Sequence, residues 1–176
     1  MQIAQIGEAI LRTPAKTVDK SEFHQTQFTQ FIADLLATMA KANGIGIAAP
    51  QVFDDRAVMI IASRPSSRYP DAPQMAPLVL INPRIITCSE NTVWQWEGCL
   101  SVPGLRGRIE RPDWVVVHYQ DGEGQSQTHR FEGFVARIFQ HEQDHLVGKT
   151  WLDHIDSTEN VMAESVWQRE IANLAG

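Results

Sequence analysis

"FQHEQDHLVG", Phe139 to Gly148, is the stretch from which the rest of the chain is read. Its histidines, His141 and His145, are four residues apart, and an α-helix would stack them on one face about a turn from each other. Two imidazoles so placed can reach one cation. Glu142 is rotated by roughly 100° from His141 on such a helix, so it sits beside the ion, within reach of a water on it. Phe134 and Ile138 precede the histidines at helical spacing on the same face, which predicts that this face is buried. Imidazoles buried there need a partner. The plain alternative is a chance H-E-x-x-H on a charged surface helix, and the apolar company argues against it. The segment predicts a helix from Gly133 to about Val147, ended by Gly148.

Upstream, Phe28, Phe31, Ile32, Leu35, Leu36 and Met39 recur at three- and four-residue steps. They predict an amphipathic helix from Phe28 to Ala42, stopped by Asn43-Gly44. Strands are expected over Ala57 to Ala62, over Leu78 to Asn82, in "VWQWE" from Val93 and in "WVVVHY" from Trp114. "DGEG", Asp121 to Gly124, is a turn that pairs the last of these with "QSQTHRF" in a hairpin. "SRPSSRYPDAPQMAP" carries four prolines between the first two strands and is expected to be a surface loop; a rim over a cleft is the other reading. Val161 to Leu174, using Met162, Val166, Trp167 and Ile171, predicts a last amphipathic helix. The fold class is α+β: mostly antiparallel strands packed around a central helix carrying the H-E-x-x-H, with N- and C-terminal helices.

A chain of 176 residues with 43% hydrophobic residues suits a single domain, 1–176, with a sizeable core. Charged residues make up 20% and the formal net charge is −6, which argues against direct nucleic-acid reading or coating of an anionic membrane. No apolar run approaches the roughly 18 residues of a membrane span. "MQIAQIGEAILRTPAK" lacks a basic region followed by an apolar stretch, so no secretory signal is expected and a cytoplasmic protein follows. The two cysteines, Cys88 and Cys99, read better as ligand, nucleophile or core filler than as a disulfide.

Three candidates compete to complete the metal site. A histidine three residues after Gly148 would do so, but that position is Trp151. Glu164, 19 residues after His145, has workable spacing, although enzymes that use such a glutamate usually need a second helical lobe. Cys99, in "WEGCLSVPG", offers a thiolate, a stronger ligand for a first-row metal, and a Cys-His-His set leaves one tetrahedral position for water. Cys88, in "ITCSEN", has no such company and reads as structural.

"GIGIAAPQ" from Gly44, "EGCLSVPG" from Glu97 and "QHEQDHLVG" from Gln140, in this order and at these separations, together resemble the signature of the peptide deformylases. "IGEAILRTPA" and "LINP" extend the resemblance over nearly the whole chain. It implies that Cys99, His141 and His145 hold one divalent metal ion, with Fe(II) expected and Zn, Ni or Co able to substitute. It also implies that Glu142 is the catalytic acid and base. Gln51 and the backbone N–H of Leu100 would stabilise the oxyanion. Ile45 and Gly46 would lie along the substrate with Gly98 on the opposite wall, and Asp144 would pair with Arg111. The implied reaction removes the formyl group from the formyl-methionine of nascent polypeptide N-termini, with transient ribosome association.

Phe134 and Ile138 make the wall beside the metal apolar, suited to an unbranched methionine side chain. Arg106 falls near the cleft and is expected to touch the substrate backbone. Trp151 and His154 replace the family's usual phenylalanine and arginine, and are expected to alter packing beyond the site. A small metallo-endopeptidase using Glu164, or a non-catalytic metal domain that binds N-terminal peptides, are the alternatives.

Overall fold

"VMII", Val58–Ile61, is the strand β2, and all four of its side chains are buried. A strand alternates its side chains between two faces, so burial of every residue requires a cover on each side. Val58 and Ile60 pack with Phe28, Leu35 and Met39 of helix α1 (Thr26–Lys41). Met59 and Ile61 pack with Ala136, Ile138, Phe139 and Leu146 of helix α2 (Gly133–Leu146). The sheet therefore separates two apolar layers, and α2 fills the second.

The computed structural model describes residues 1–66 and 68–171. Around β2, five strands order themselves as β1 (Gly46–Ala48), β2, β3 (Leu78–Cys88), β6 (Trp114–Gln120) and β7 (Ser126–Glu132), each antiparallel to its neighbour. β4 (Thr92–Cys99), β5 (Val102–Pro112) and β8 (Val161–Ala163) form a second antiparallel sheet. Helix α2 packs on strands of both sheets, including β1 and β5. That is what brings a strand end from the small sheet up to the helix. The architecture is α+β with antiparallel sheets and three α-helices among the described residues.

Both long helices stop by the same device. After α1, Asn43 takes a left-handed φ of 52°, its N–H bonds Ala40 O at 3.1 Å and that of Gly44 bonds Met39 O at 2.9 Å. After α2, Gly148 takes φ 73°, with Gly148 N to His145 O at 3.3 Å and Lys149 N to Asp144 O at 2.8 Å. This double bond pattern satisfies carbonyls that a helix end leaves open. A Cβ on Gly148 would also stand 2.8 Å from Arg12 O. Gly148→Ala should therefore destabilise by about 1–2 kcal/mol from the left-handed backbone alone. Gly122, with open space around its Cα, serves as control: Gly122→Ala should change the urea midpoint little.

The end of the described chain departs from the expected helix over Val161 to Leu174. Val161 and Met162 pair in β8 with Gly107 and Arg106 of β5, and helix α3 covers only Glu164–Glu170. Without β8 the backbone groups of β5 at these positions would lack partners. The portion of the expected helix beyond Ile171 lies outside the described residues. β3 runs six residues past Asn82, to Cys88, where it pairs with β6. β5 and β1 were not anticipated as strands. The proline-rich segment is a loop, but Arg68 and Tyr69 in it line the cavity that also holds Cys99 and His141, so it forms a rim as well as a surface.

Candidate metal centre

Cys99 ends β4, at the tight turn to β5, and α2 presents His141 and His145 to it. One ligand atom from each of the three lies within 4.8 Å of the others. Cys99 Sγ is 3.2 Å from His145 Nε2, close to the roughly 3.6 Å separating thiolate and imidazole donors on a tetrahedral ion. Glu97 Oε2 is 2.8 Å from His141 Nδ1 and so leaves Nε2 of that ring for a metal. Donor types, convergence and this carboxylate behind a candidate ligand all fit a divalent transition metal. Glu164 stands apart from the cluster: its carboxylate grips the Arg106 guanidinium at 2.6 and 2.8 Å.

The charges around the cluster favour ligation. Burial pushes the Cys99 thiol up, but the charges of His145 and His141 overcome it and hold the thiol well below its ordinary range. Burial works against protonated His141 too, yet Cys99 and Glu97 raise it well above the usual imidazole value. A thiolate beside imidazolium is the charge pattern a cation replaces when protons leave.

Glu142 stands next to His141, and a Cβ on Gly46 of β1 would lie 2.3 Å from its Oε1. The glycine is thus the condition for the carboxylate to sit there. Oε2 of Glu142 is buried without a hydrogen-bond partner among the described residues. Burial lifts this carboxyl to about 7, with His141 and His145 pulling it down and Cys99 and Glu97 adding to the rise.

Gln51 lies in a 3-10 turn over Ala49–Val52 and is almost fully buried. Its Oε1 accepts from Ala48 N at 2.8 Å, while its Nε2 faces Cys99 Sγ at 3.5 Å and Ser101 Oγ at 3.2 Å. Ile45, Gly46, Gly98, Leu100, Phe134 and Ile138 all line the same cavity of about 260 Å³ as Cys99, His141 and Glu142. Arg106 also borders it, but is almost fully buried and engaged by Glu164 and the Tyr69 hydroxyl. A Cβ on Gly98 would meet that guanidinium at 2.7 Å, so Arg106 underlies the Gly98 wall.

An ionic chain behind the candidate ligands was only partly anticipated. Arg111 reaches Asp144 at 2.8 Å, the expected pair, and also holds Glu97 through Nε at 2.6 Å and Nη2 at 3.0 Å. Arg137 adds a 2.8 Å contact to Glu97 Oε1. Burial alone would raise the Glu97 carboxyl, but Arg111 and His141 hold it well below the carboxylate range. His154 Nε2 lies 2.9 Å from Asp144. His154 thus joins a chain leading to His141, beyond the packing role expected of it, whereas Trp151 does pack, fully buried over Gly107. A signal for Arg137 was present: it precedes His141 by four residues on the helix.

Glu97→Gln should separate the supporting role from the ligands. Removing one partner of a buried ion pair typically costs about 3–5 kcal/mol, and loss of a carboxylate behind a ligating histidine about 10–100-fold in metal affinity. Urea unfolding and a chelator competition read the two effects separately.

The family model for polypeptide deformylase matches residues 1–161. Peptide deformylase 2 of Nostoc sp. is 46% identical over 168 residues, covering 96% of this chain and 93% of that protein. Peptide deformylase 2 of Shewanella oneidensis is 48% identical over 159 residues, 90% of this chain and 86% of its own length. The structure is similar to that of Met-Ala-Ser-bound class I type b peptide deformylase from Acinetobacter baumannii, with a TM-score of 0.87 and 44% identity over 88% of this chain and 98% of that one.

Proposed function

The chain belongs to the polypeptide deformylase family, and from that premise we propose how its own residues carry out the family's hydrolysis. It is an enzyme that removes the N-formyl group from newly synthesised proteins and releases formate. The family is metal-dependent. The carrying observation is the meeting of Cys99, His141 and His145 beside the unpartnered oxygen of Glu142.

An amide bond has to be attacked by water, its oxyanion stabilised and a poor amine leaving group protonated. Cys99, His141 and His145 would hold the ion, which supplies Lewis acidity towards the water and the formyl oxygen. Glu142 accepts the proton of the attacking water at Oε2 and returns it to the departing nitrogen, so one carboxyl serves both steps. Gln51 Nε2 donates to the developing oxyanion in place of its long contact to Cys99, together with the Leu100 N–H. One such donor is typically worth about 2.7–4 kcal/mol of barrier. The peptide backbone runs between Ile45–Gly46 and Gly98. The first side chain lies on Ile138 and Phe134, which line the cavity beside His141; the Acinetobacter relative binds Met-Ala-Ser, a peptide that contains methionine. Arg106 acts from beneath, by shaping the Gly98 wall.

Fe(II) is the ion we propose, since two imidazoles and a thiolate suit it and the family resemblance favours it; Zn, Ni and Co suit the same donors. Residues 1–176 are read as one catalytic domain, with α2 bridging both sheets. No helix among the described residues is long and apolar enough to cross a membrane, and we place the enzyme in the cytoplasm with its nascent substrates. Ribosome association would be transient and follows from the substrate alone; α3 carries two glutamates and one arginine, with Trp167 buried, and supplies no basic face for RNA. The test is release of formate from formyl-Met peptides by anaerobically prepared, metal-analysed protein, because thiolate ligands oxidise in air. Turnover in proportion to bound metal supports the reading, and a metal-replete but inert protein contradicts it.

A further inference from the structure

The catalytic cavity shares a wall with a second, aromatic one. Arg68, Tyr69, Trp96 and Phe134 line both the cavity of about 260 Å³ at the metal centre and a neighbouring space of about 420 Å³ that also holds Trp94 and Trp167. Arg68 and Tyr69 are the part of that wall contributed by the proline-rich loop. The Tyr69 ring packs on Phe134 at 4.9 Å between centroids and on Trp167 at 6.3 Å. Its hydroxyl accepts from Arg106 Nη1, and Arg106 is itself fixed by Glu164 and stacked over Trp167 at 4.3 Å. Next to it, Arg68 donates to Asn43 O at 2.6 Å, tying the loop to the opposite lip. The partition is held on several sides before any peptide arrives.

Along α2, the path from the ligand set leads from His141 past Ile138 to Phe134, about 10 Å of helix axis. A side chain running that way with its carbonyl end at the metal passes Ile138 and meets the Phe134–Tyr69 pair. We propose that Tyr69 is a specificity-determining residue: it closes the far end of the first-side-chain pocket, so that an unbranched chain of methionine's length fits and a longer one is refused. The inference rests on the deformylase reading of this site. It assigns the loop a role in substrate choice and leaves the chemistry to Glu142.

Tyr69→Ala joins the two cavities. The test compares kcat/KM for formyl-Met-Ala-Ser with that for the same peptide carrying homophenylalanine in place of methionine, since its first methylenes match methionine and its phenyl ring needs room beyond. Discrimination by pocket size typically runs about 10–200-fold. The wild type should prefer methionine within that range, and Tyr69→Ala should lose most of the preference through a gain on the longer substrate. Tyr69→Phe keeps the ring and should keep the preference. Should Tyr69→Ala lose activity on both peptides, Tyr69→Leu reads the same ratio from a smaller truncation. An unchanged ratio in either active variant, or loss of both activities in both variants, overturns the proposal. Inactivity of the metal-loaded wild type on formyl-Met-Ala-Ser would instead overturn the deformylase reading itself.

Discussion

Glu142→Gln should remove turnover and keep the metal. The substitution preserves shape beside Gly46 but deletes the carboxyl proposed to carry a proton between water and leaving nitrogen, a role typically worth about 10²–10⁴-fold. A second consequence concerns stability. In the metal-free protein burial holds the Glu142 carboxyl at about 7, above its ordinary 4.5. A raised carboxyl favours the protonated form in the fold, so its contribution is intact below about 4.5 and lost as pH rises through 7. At pH 8 ionised Glu142 should destabilise the metal-free protein by roughly 3 kcal/mol. Glutamine carries no such charge. Urea unfolding of the two metal-free proteins should give similar stabilities at pH 4.5 and a gap in favour of Glu142→Gln at pH 8. A bound cation pulls the carboxyl back towards ionisation, so the acid limb of the rate profile in the loaded enzyme should lie below 7. Full activity in the glutamine variant, or a gap independent of pH, would count against this assignment.

Cys99→Ser should lose the metal, and activity with it. A serine hydroxyl lacks the readily lost proton of the Cys99 thiol, which its histidine surroundings hold well below the ordinary thiol range, and oxygen is a poorer match for these metals. Loss of a carboxylate behind a ligand already lowers affinity about 10–100-fold, so loss of the ligand itself should exceed 100-fold. The fold should survive, because Gln51 Nε2 and Ser101 N, which now face the sulfur, can donate to a hydroxyl as well. Glu164→Ala is the companion experiment. Its carboxylate serves Arg106, so metal content should stay at the wild-type level while the Arg106 pair is lost.

The two long helices and the paired histidines were legible because their signals are local. Phe28, Leu35 and Met39 declare one face of α1, His141 and His145 one face of α2, and Asn43 and Gly148 end both by adopting left-handed backbone. β5 was hidden because its buried apolar side chains are few, Val102 and Ile109 among Gly104, Gly107 and several arginines. Its pairing with β4 and β8 makes it a strand, and pairing across a sheet is not a local property. Val161–Ala163 was misread as helix for the same reason. The ionic chain from His154 through Asp144, Arg111 and Glu97 to His141 joins segments far apart in sequence, and only the Asp144–Arg111 link had a signal. Glu164 and Arg106 each look like free site residues when read singly; brought together at 2.6 Å they satisfy each other.

Every step of the proposed chemistry depends on where one sulfur atom points. Metal-edge X-ray absorption on the anaerobically loaded protein measures that directly, with Cys99→Ser alongside. The wild type should show a single sulfur neighbour at about 2.3 Å with two imidazole nitrogens at about 2.0–2.1 Å, and the variant, at whatever metal it retains, no sulfur. A first shell made of nitrogen and oxygen alone in the wild type would contradict the account at its root.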